Sequence, residues 1–379
     1  RPDLPPMLLI HGSEDTTVPP AISRAFQEAL QAAGASSELV IYPGAAHTDF
    51  LFAVFADAVM LHREPASTGL ARDITEVMAD PSPSGSDTEF EWLEVYNAAD
   101  AVLELAGIDT RALTAHIRES GMPNGVVAHA PDGYFDEASI AAELKAFPGL
   151  EGLDLAKEVT TAQTYHWDQT GWEWNKGYGK LDKPDFHIVA VDYGAKRNIL
   201  RCLADQGARV TVVPATATAA DILSHDPDGI FLSNGPGDPA ATGEYAVPTI
   251  QALMETGKPI FGICLGHQLL GLALGGTTSK MHQGHHGANH PVKDLTTGKV
   301  EITSMNHGFA VDKASLPAGV TETHISLFDQ SNAGLSVEGK PIFSVQYHPE
   351  AGPGPHDSHY LFNEFAELMR RSGADPDKR

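Results

Sequence analysis

From residue 186 onward, short apolar runs alternate with helical segments, and this alternation constrains the fold more than any other feature of the chain. The apolar runs are FHIVAVDYG, ARVTVVP, DGIFLSNG and KPIFGIC, and the segments between them include AKRNILRCLADQG and YAVPTIQALMETG. Runs of this kind predict strands, and apolar residues spaced three and four apart predict helices. The pattern therefore predicts an α/β fold, with a mostly parallel sheet flanked by helices on both faces and ligands bound beyond the carboxyl ends of the strands.

The earlier part of the chain predicts separate, smaller units. MLLI and SELVIYPG read as strands on either side of the helical pattern AISRAFQEALQAAG, and ADPSPSGSD has the composition of a linker. A helical pattern, TRALTAHIRESG, and the turn-rich MPNGVVAHAPDGYF then predict a small α+β module. We divide the chain into an α/β unit (1–78), a linker (79–97), a small module (98–165), a connecting segment (166–185) and a final α/β domain (186–379).

Charge and cysteine content exclude several classes of protein. The formal net charge of −25 argues against a nucleic-acid partner, because phosphate binding needs clustered Lys and Arg. Two cysteines cannot build a disulfide framework, so we expect a cytoplasmic protein. The apolar run at 51–61 is too short to span a bilayer, and we expect no membrane partner. The chain begins at Arg1 rather than Met, which suggests a fragment, a fusion or a chimeric reading frame.

One of the two cysteines lies on a sharp bend. In GICLGHQ, Gly262 and Gly266 stand two residues on either side of Cys264, between a predicted strand and a predicted helix. Small residues at these positions permit the tight turn of a nucleophile elbow, and the positive end of the following helix favours a thiolate. A buried, inert cysteine is the alternative, and the double glycine makes it the weaker one.

A nucleophile needs a base, and the base needs an orienting group. FSVQYHPEAGPGP supplies both, because an apolar strand ends at His348 and Glu350 follows two residues later. On an extended segment, residues two apart project to the same side, so the carboxylate can hold the imidazole. A structural histidine at a strand end is the alternative reading.

Two further loops are candidates for the substrate site. FLSNGPGDP ends a third strand, and its Gly235 and Gly237 permit a tight turn or the close approach of backbone N–H groups to a ligand. Together with the Leu265 amide, these groups could form an oxyanion hole. SMNHGFAV, at 304–311, is predicted to be another such loop.

These motifs resemble those of the class I glutamine amidotransferases, and within them most closely the small, glutamine-hydrolysing subunits of carbamoyl-phosphate synthases. The resemblance extends over about residues 104–370, and it implies that 98–165 is a partial N-terminal module of such a subunit and that 186–379 is a glutamine amidotransferase domain. Its motifs are AGIDTRALT (106–114), VDYGAKRNILR (191–201), LSNGPGDP (232–239), FGICLGHQ (261–268), HHGANHPV (285–292), MNHGFAV (305–311) and QYHPEA (346–351).

The resemblance implies a Cys264, His348 and Glu350 triad that hydrolyses glutamine. It implies glutamine contacts at Gly235, Gly237, Leu265, Gln268, Asn306, Gly308 and Phe309. It further implies that ammonia passes to a large subunit, in a heterodimer or a higher oligomer, for carbamoyl phosphate synthesis in the arginine and pyrimidine pathways. ATP, magnesium and bicarbonate would bind to that large subunit, and no cofactor is expected in this chain.

The histidines at 282, 285, 286 and 290 raise the question of a metal site. No carboxylate or cysteine lies beside them in the sequence, and they fall within a motif of the resembled family. We therefore expect no metal and predict a hydrogen-bonded loop.

A second set of residues resembles part of a different enzyme. LLIHGSEDTTVP and YPGAAHTDF are similar to the last strands of an α/β-hydrolase of the carboxylesterase kind, with Asp15 and His47 at the acid and histidine positions. The sequence contains no G-x-S-x-G, so this pair lacks a nucleophile and is interpreted as vestigial. The alternatives to the leading assignment are another class I amidotransferase, a non-catalytic fusion partner, and a carboxylesterase fragment.

Overall fold

The computed structural model describes residues 110–126 and 136–373, together with the backbone of four earlier strands. Those strands are β1 (Met7–Gly12), β2 (Ser37–Tyr42), β3 (Ile74–Met78) and β4 (Trp92–Val95). The chain divides into two compact units, and the second includes all residues from Thr110 onward.

The backbone of the early strands agrees in part with the sequence. β1 pairs in parallel with β2, as expected for the predicted opening α/β unit. β3 and β4 form a separate two-stranded sheet, and β4 falls inside the predicted linker, 79–97. The helix predicted between β1 and β2 lies outside the described residues, as do Asp15 and His47.

The second unit contains the alternating elements that the sequence predicts. Among the described residues, its helices are α1 (Thr110–Ser120), α2 (Glu137–Ala146), α3 (Ala156–Val159), α4 (Arg197–Asp205), α5 (Ala219–Ser224), α6 (Pro239–Met254), α7 (Leu265–Ala273) and α8 (Tyr360–Gly373), with one 3-10 turn at Lys313–Ser315. Its strands are β5 (Tyr165–Trp167), β6 (Gln169–Glu173), β7 (Gly177–Lys180), β8 (Phe186–Asp192), β9 (Ala208–Pro214), β10 (Gly229–Leu232), β11 (Ile260–Ile263), β12 (Thr278–Asp294), β13 (Val300–Val311), β14 (Val320–Ser326), β15 (Asn332–Val337) and β16 (Ile342–Val345).

Ten of these strands form one mixed sheet in the order β13-β12-β14-β15-β16-β11-β10-β8-β9-β5. The run from β16 to β9 is parallel throughout, which confirms the predicted parallel sheet. Beyond β16, the remaining strands pair antiparallel and form an arm that the sequence did not predict. At the other edge, β5 pairs antiparallel with β9. In a parallel sheet the carboxyl ends of neighbouring strands meet at one edge, and the chain places its candidate site residues at that edge.

The central strands are buried on both faces, because alternate side chains enter two different cores. On β8, Ile188 and Ala190 pack into one core with residues of α4 and α8. Val189 and Val191 pack into the other with residues of α5, α6 and α7. The structure thus confirms a sheet flanked by helices on both faces.

Two predictions for residues of the antiparallel arm were wrong. Residues 304–311 and the histidine-rich stretch were expected to be loops, but they form the paired strands β13 and β12. The register of this pair shifts between Lys280 and His285 and again between Gly287 and His290. These bulges bend the ladder and break the alternation of side chains, which is why the sequence did not read as strand.

Candidate active site

Cys264 lies in the turn between β11 and α7, at the carboxyl edge of the sheet. It is the residue that immediately precedes α7, with φ +54° and ψ −104°. Its N–H donates to the Val345 carbonyl at 2.9 Å, which ties the turn to β16. A positive φ is costly for a residue with a side chain, and it persists here because the turn is fixed on both sides. This is the strained geometry of a nucleophile elbow.

The flanking glycines let α7 approach the sheet closely. A Cβ on Gly266 would lie 2.2 Å from the Leu232 carbonyl oxygen, and one on Gly262 would lie 2.9 Å from the Gly266 carbonyl carbon. The Gly266 N–H donates to the Ser233 carbonyl at 3.0 Å. The first turn of α7 therefore rests directly on the end of β10, and any larger residue would displace it.

His348 and Glu350 are in contact, as expected, but not on a strand. The His348 Nδ1 lies 2.8 Å from the Glu350 Oε1. The strand β16 ends at Val345, and the Ala351 N–H donates to the His348 carbonyl at 3.1 Å, so the two residues lie in a turn. The predicted extended segment was wrong, because the chain turns immediately after His348. The His348 N–H donates to the Ser304 carbonyl at 2.8 Å and anchors this turn to β13.

The imidazole of His348 joins the carboxylate to the thiol. It hydrogen-bonds the Glu350 carboxylate, and the Cys264 sulfur lies near enough to act on its pKa. Burial alone would lower the pKa of His348, but the charge of Glu350, the hydrogen bond to it and the neighbouring Cys264 outweigh burial and raise the pKa above its usual value. Burial would likewise raise the pKa of Glu350, while the imidazolium and Lys196 hold it below its usual value.

Lys196 and Asn198 hold the carboxylate turn from the other side. The Lys196 Nζ lies 3.5 Å from the Glu350 Oε1 and donates to the Ala351 carbonyl at 2.7 Å. The Asn198 amide donates to the Glu350 carbonyl at 2.8 Å. Glu350 is fully buried, and the positive charge of Lys196 favours its ionised form, while the two bonds to backbone carbonyls fix the turn. Sequence reasoning did not assign these two residues, although their motif follows β8 at the same edge of the sheet.

The predicted glycine loop after β10 is tightly packed beside the elbow. A Cβ on Gly235 would lie 2.1 Å from the Tyr193 carbonyl oxygen, and Gly237 has φ +97°. Asp238 begins α6 by accepting from the Ala240 N–H at 2.8 Å. The Leu265 N–H, at the start of α7, has no acceptor within the helix. Whether these groups contact a substrate remains a prediction.

The other predicted contact residues lie on α7 and β13. Gln268 is buried, and its amide donates to the Phe309 carbonyl at 2.7 Å and to the Gln346 Oε1 at 3.0 Å. The Asn306 carbonyl oxygen lies 3.7 Å from the Cys264 Sγ. A Cβ on Gly308 would lie 2.9 Å from the Met122 side chain. The fold thus brings these residues to the region of the thiol, and their roles in binding glutamine remain predictions.

Comparison with known proteins assigns the family. The family model for class I glutamine amidotransferases matches residues 189–368. The carbamoyl phosphate synthase small chain of Caulobacter vibrioides is 63% identical over 307 residues, covering 81% of this chain and 78% of that protein. The chain belongs to the carbamoyl phosphate synthase small chain family. Small chains of Bradyrhizobium diazoefficiens and Rhizobium meliloti are 65% and 64% identical, over 74% and 75% of this chain and 70% and 71% of their own lengths.

The opening residues match a different family. Residues 3–63 match the prolyl oligopeptidase family, which fits the hydrolase-like reading of this segment. The small-chain similarity therefore applies to the larger, later part of the sequence, which contains the candidate triad.

Two residues of the histidine-rich strand form hydrogen bonds to other side chains. The His285 Nε2 lies 3.0 Å from the Asp329 Oδ2, and the His286 Nδ1 lies 2.7 Å from the Asn306 Oδ1. Within the described residues, no group of three or more His, Cys, Asp or Glu side chains is arranged to hold a metal ion. In the same part of the chain, no helix is both long and apolar enough to cross a membrane.

Proposed function

We propose that this chain hydrolyses glutamine at Cys264 and supplies the ammonia for carbamoyl phosphate synthesis on a large subunit. The observation that carries the proposal is the arrangement of Cys264 on its elbow, at the carboxyl edge of a parallel sheet, beside His348, which is hydrogen-bonded to the buried Glu350. Membership of the small-chain family supports the same reaction.

The first step is attack of the thiolate on the side-chain amide carbon of glutamine. The raised pKa of His348 favours a protonated imidazole near neutral pH, and this positive charge beside the sulfur stabilises the thiolate that attacks. A carbon–sulfur bond forms as the amide oxygen takes up the carbonyl π electrons. Backbone N–H groups at the elbow, including that of Leu265, would stabilise this oxyanion.

The second step releases ammonia. His348 donates its proton to the amide nitrogen, the carbon–nitrogen bond breaks, and a thioester remains on Cys264. Water then attacks the thioester carbon while His348 accepts a proton from it, and the carbon–sulfur bond breaks to give glutamate. Glu350 orients the imidazole in both directions of proton transfer, because their 2.8 Å contact fixes which ring nitrogen faces the sulfur.

The proposal includes a partner and a cellular setting. A small chain that releases ammonia implies a partner that consumes it, so we propose a complex with a large subunit that binds ATP, magnesium and bicarbonate. We also propose that the protein acts in the cytoplasm and that this chain itself needs no cofactor for hydrolysis. These elements rest on the family assignment and on the chemistry of the triad.

A glutamine-analogue diazo ketone tests the nucleophile. We expect such a reagent to alkylate Cys264 with a stoichiometry of one, detected by intact mass and peptide mapping, and we expect Cys264→Ser to abolish labelling. Cys202 offers a matched control, because burial, together with the charges of Glu350 and Asp205, raises its pKa to about 12. Cys202→Ser should therefore label at the wild-type rate. Labelling that survives in Cys264→Ser would contradict the proposal.

A steady-state assay separates this function from the alternatives. We expect glutamate and ammonia to be released from glutamine, and the rate to rise when a carbamoyl phosphate synthase large subunit is added. Hydrolysis that the large subunit leaves unchanged would favour another class I amidotransferase. A chain that neither hydrolyses glutamine nor accepts the label would be a non-catalytic member of the family.

A further inference from the structure

His286 and Asn306 form a cross-strand pair next to the thiol. They lie directly opposite each other in the β12–β13 ladder, between its two register shifts. The His286 Nδ1 lies 2.7 Å from the Asn306 Oδ1, a short and direct hydrogen bond. The carbonyl of the same Asn306 lies 3.7 Å from the Cys264 Sγ. The residue held by His286 is therefore in contact with the proposed nucleophile.

The backbone next to this pair is shaped around the imidazole. Gly284 has φ +70°, and a Cβ at this position would lie 2.5 Å from the His286 Nε2 and 2.7 Å from the His307 carbonyl oxygen. Any larger residue would push the ring away from its present position. The first bulge of β12 and this glycine thus set where the imidazole lies against β13.

The hydrogen bond fixes both partners chemically. An amide oxygen only accepts, so the bond requires the hydrogen on the His286 Nδ1. Burial lowers the pKa of His286 against the opposing effect of its bond to Asn306, so the ring is neutral and Nε2 carries no hydrogen. With Oδ1 facing the imidazole, the amide NH2 of Asn306 must face the other way. Among the described residues, no second side-chain hydrogen bond holds this amide.

We propose that His286 is a positioning residue that orients the Asn306 amide so that its NH2 group donates to an acceptor oxygen of the glutamine bound at Cys264. This inference rests on the proposed function, since it assigns a specificity contact to the same site. Without His286, the Asn306 amide is free to rotate, and in half of its orientations the Asn306 Oδ1, rather than the NH2 group, faces the acceptor oxygen of the substrate. The effect falls on substrate binding rather than on the proton transfers of His348.

Two variants at position 286 separate the hydrogen bond from the packing. Asn has a nitrogen donor where the imidazole has Nδ1, while Leu has the same branching and no donor. We expect His286→Leu to raise the KM for glutamine about tenfold with kcat little changed, and His286→Asn to restore most of the affinity. His282→Leu, on an exposed residue of the same strand, should leave KM unchanged. Equal KM values for the Leu and Asn variants would overturn the proposal.

A double-mutant cycle and one spectroscopic measurement complete the test. In an Asn306→Ala background, His286→Leu should have no further effect on KM, whereas additive effects would refute the positioning role. Independently of activity, 15N-histidine spectra of the wild-type chain should show His286 as the Nδ1–H tautomer, and an Nε2–H tautomer would refute it even if the variants fail to fold. If wild type and Cys264→Ser are equally inactive, the proposed function fails, and the observed tautomer still decides whether His286 holds Asn306.

Discussion

Gly266→Ala tests whether close contact between α7 and the sheet sets the position of the nucleophile. The added Cβ would lie 2.2 Å from the Leu232 carbonyl oxygen and 2.8 Å from the Leu232 Cβ. Both neighbours belong to β10, a fully buried strand at the centre of the sheet, so they cannot move aside. The helix must therefore move, and its first residues carry the elbow with them.

The required displacement can be estimated from the contact itself. An ordinary van der Waals contact begins at 3.4 Å, so α7 must shift by at least about 1.2 Å from the 2.2 Å position. Overpacking of a core typically costs about 1–3 kcal/mol in the free energy of unfolding. A misplacement of about 1 Å at a reacting group costs about 10²-fold in rate. We expect both losses in Gly266→Ala.

The assay is the rate of Cys264 alkylation by the diazo ketone, measured with urea unfolding of the same preparations. Gly243→Ala is the matched control, because it also adds a methyl group inside a helix but meets only side-chain ends, at 3.3 Å from Leu272 and 3.4 Å from Val247. It should keep the wild-type labelling rate and unfold at similar or higher urea concentration. A Gly266→Ala protein that labels as fast as wild type would refute the reasoning.

Two more substitutions test the ion pair and the core. Glu350→Gln should lower the pKa of His348, because burial still opposes the imidazolium while the carboxylate charge is gone. The alkaline limb of the pH–rate profile for glutamine hydrolysis should therefore move to lower pH, with about 10²-fold less activity at pH 8. An unmoved limb would contradict the ion-pair assignment. The His348–Glu350 pair should contribute its full stabilisation between pH 4.5 and 6.5, the ordinary pKa values of the two groups. The contribution of His348 is lost as pH rises through its raised pKa, and that of Glu350 is lost as pH falls through its lowered pKa. Urea unfolding of wild type and Glu350→Gln across and beyond this pH range would measure both losses. Phe261→Ala should lower the free energy of unfolding by about 3–5 kcal/mol, because its fully buried ring stacks on Phe343 with ring centroids 4.4 Å apart. Phe147→Ala, at a 42% exposed position, should change the free energy of unfolding by less than about 0.5 kcal/mol. Similar losses for both variants in urea unfolding would contradict the close packing of this core.

The central sheet could be read from the sequence because its signals are local. Strands such as 186–192 are short apolar runs bounded by turns, and each is followed by a helix of regular spacing. The signal for the elbow is equally local, since two glycines and a cysteine within five residues specify the turn between β11 and α7. Local propensity and burial agree in these elements, so the pattern predicts them.

The antiparallel arm and the His348 turn could not be read in the same way. β12 contains seven residues from Gly284 to His290 that are rich in histidine and glycine, and its two register shifts break the alternation that identifies a strand. The residues 346–350 follow an apolar run, but the strand ends at Val345 and the chain turns after His348. Pairing with β13 decides both structures, and that pairing is not visible in either segment alone.

The sequence by itself determined the type of each candidate catalytic group, because a thiol between two glycines, a histidine and a carboxylate two residues apart are each visible in one short stretch. Only the tertiary structure decided how they act together. Cys264 and His348 are 84 residues apart in the numbering, and Lys196 and Asn198 come from a third segment. The physical reason is that a parallel sheet collects the ends of strands distant in sequence at one edge, where the charges and hydrogen bonds set the pKa of His348. The antiparallel pairing of β12 with β13 brings His286 to Asn306.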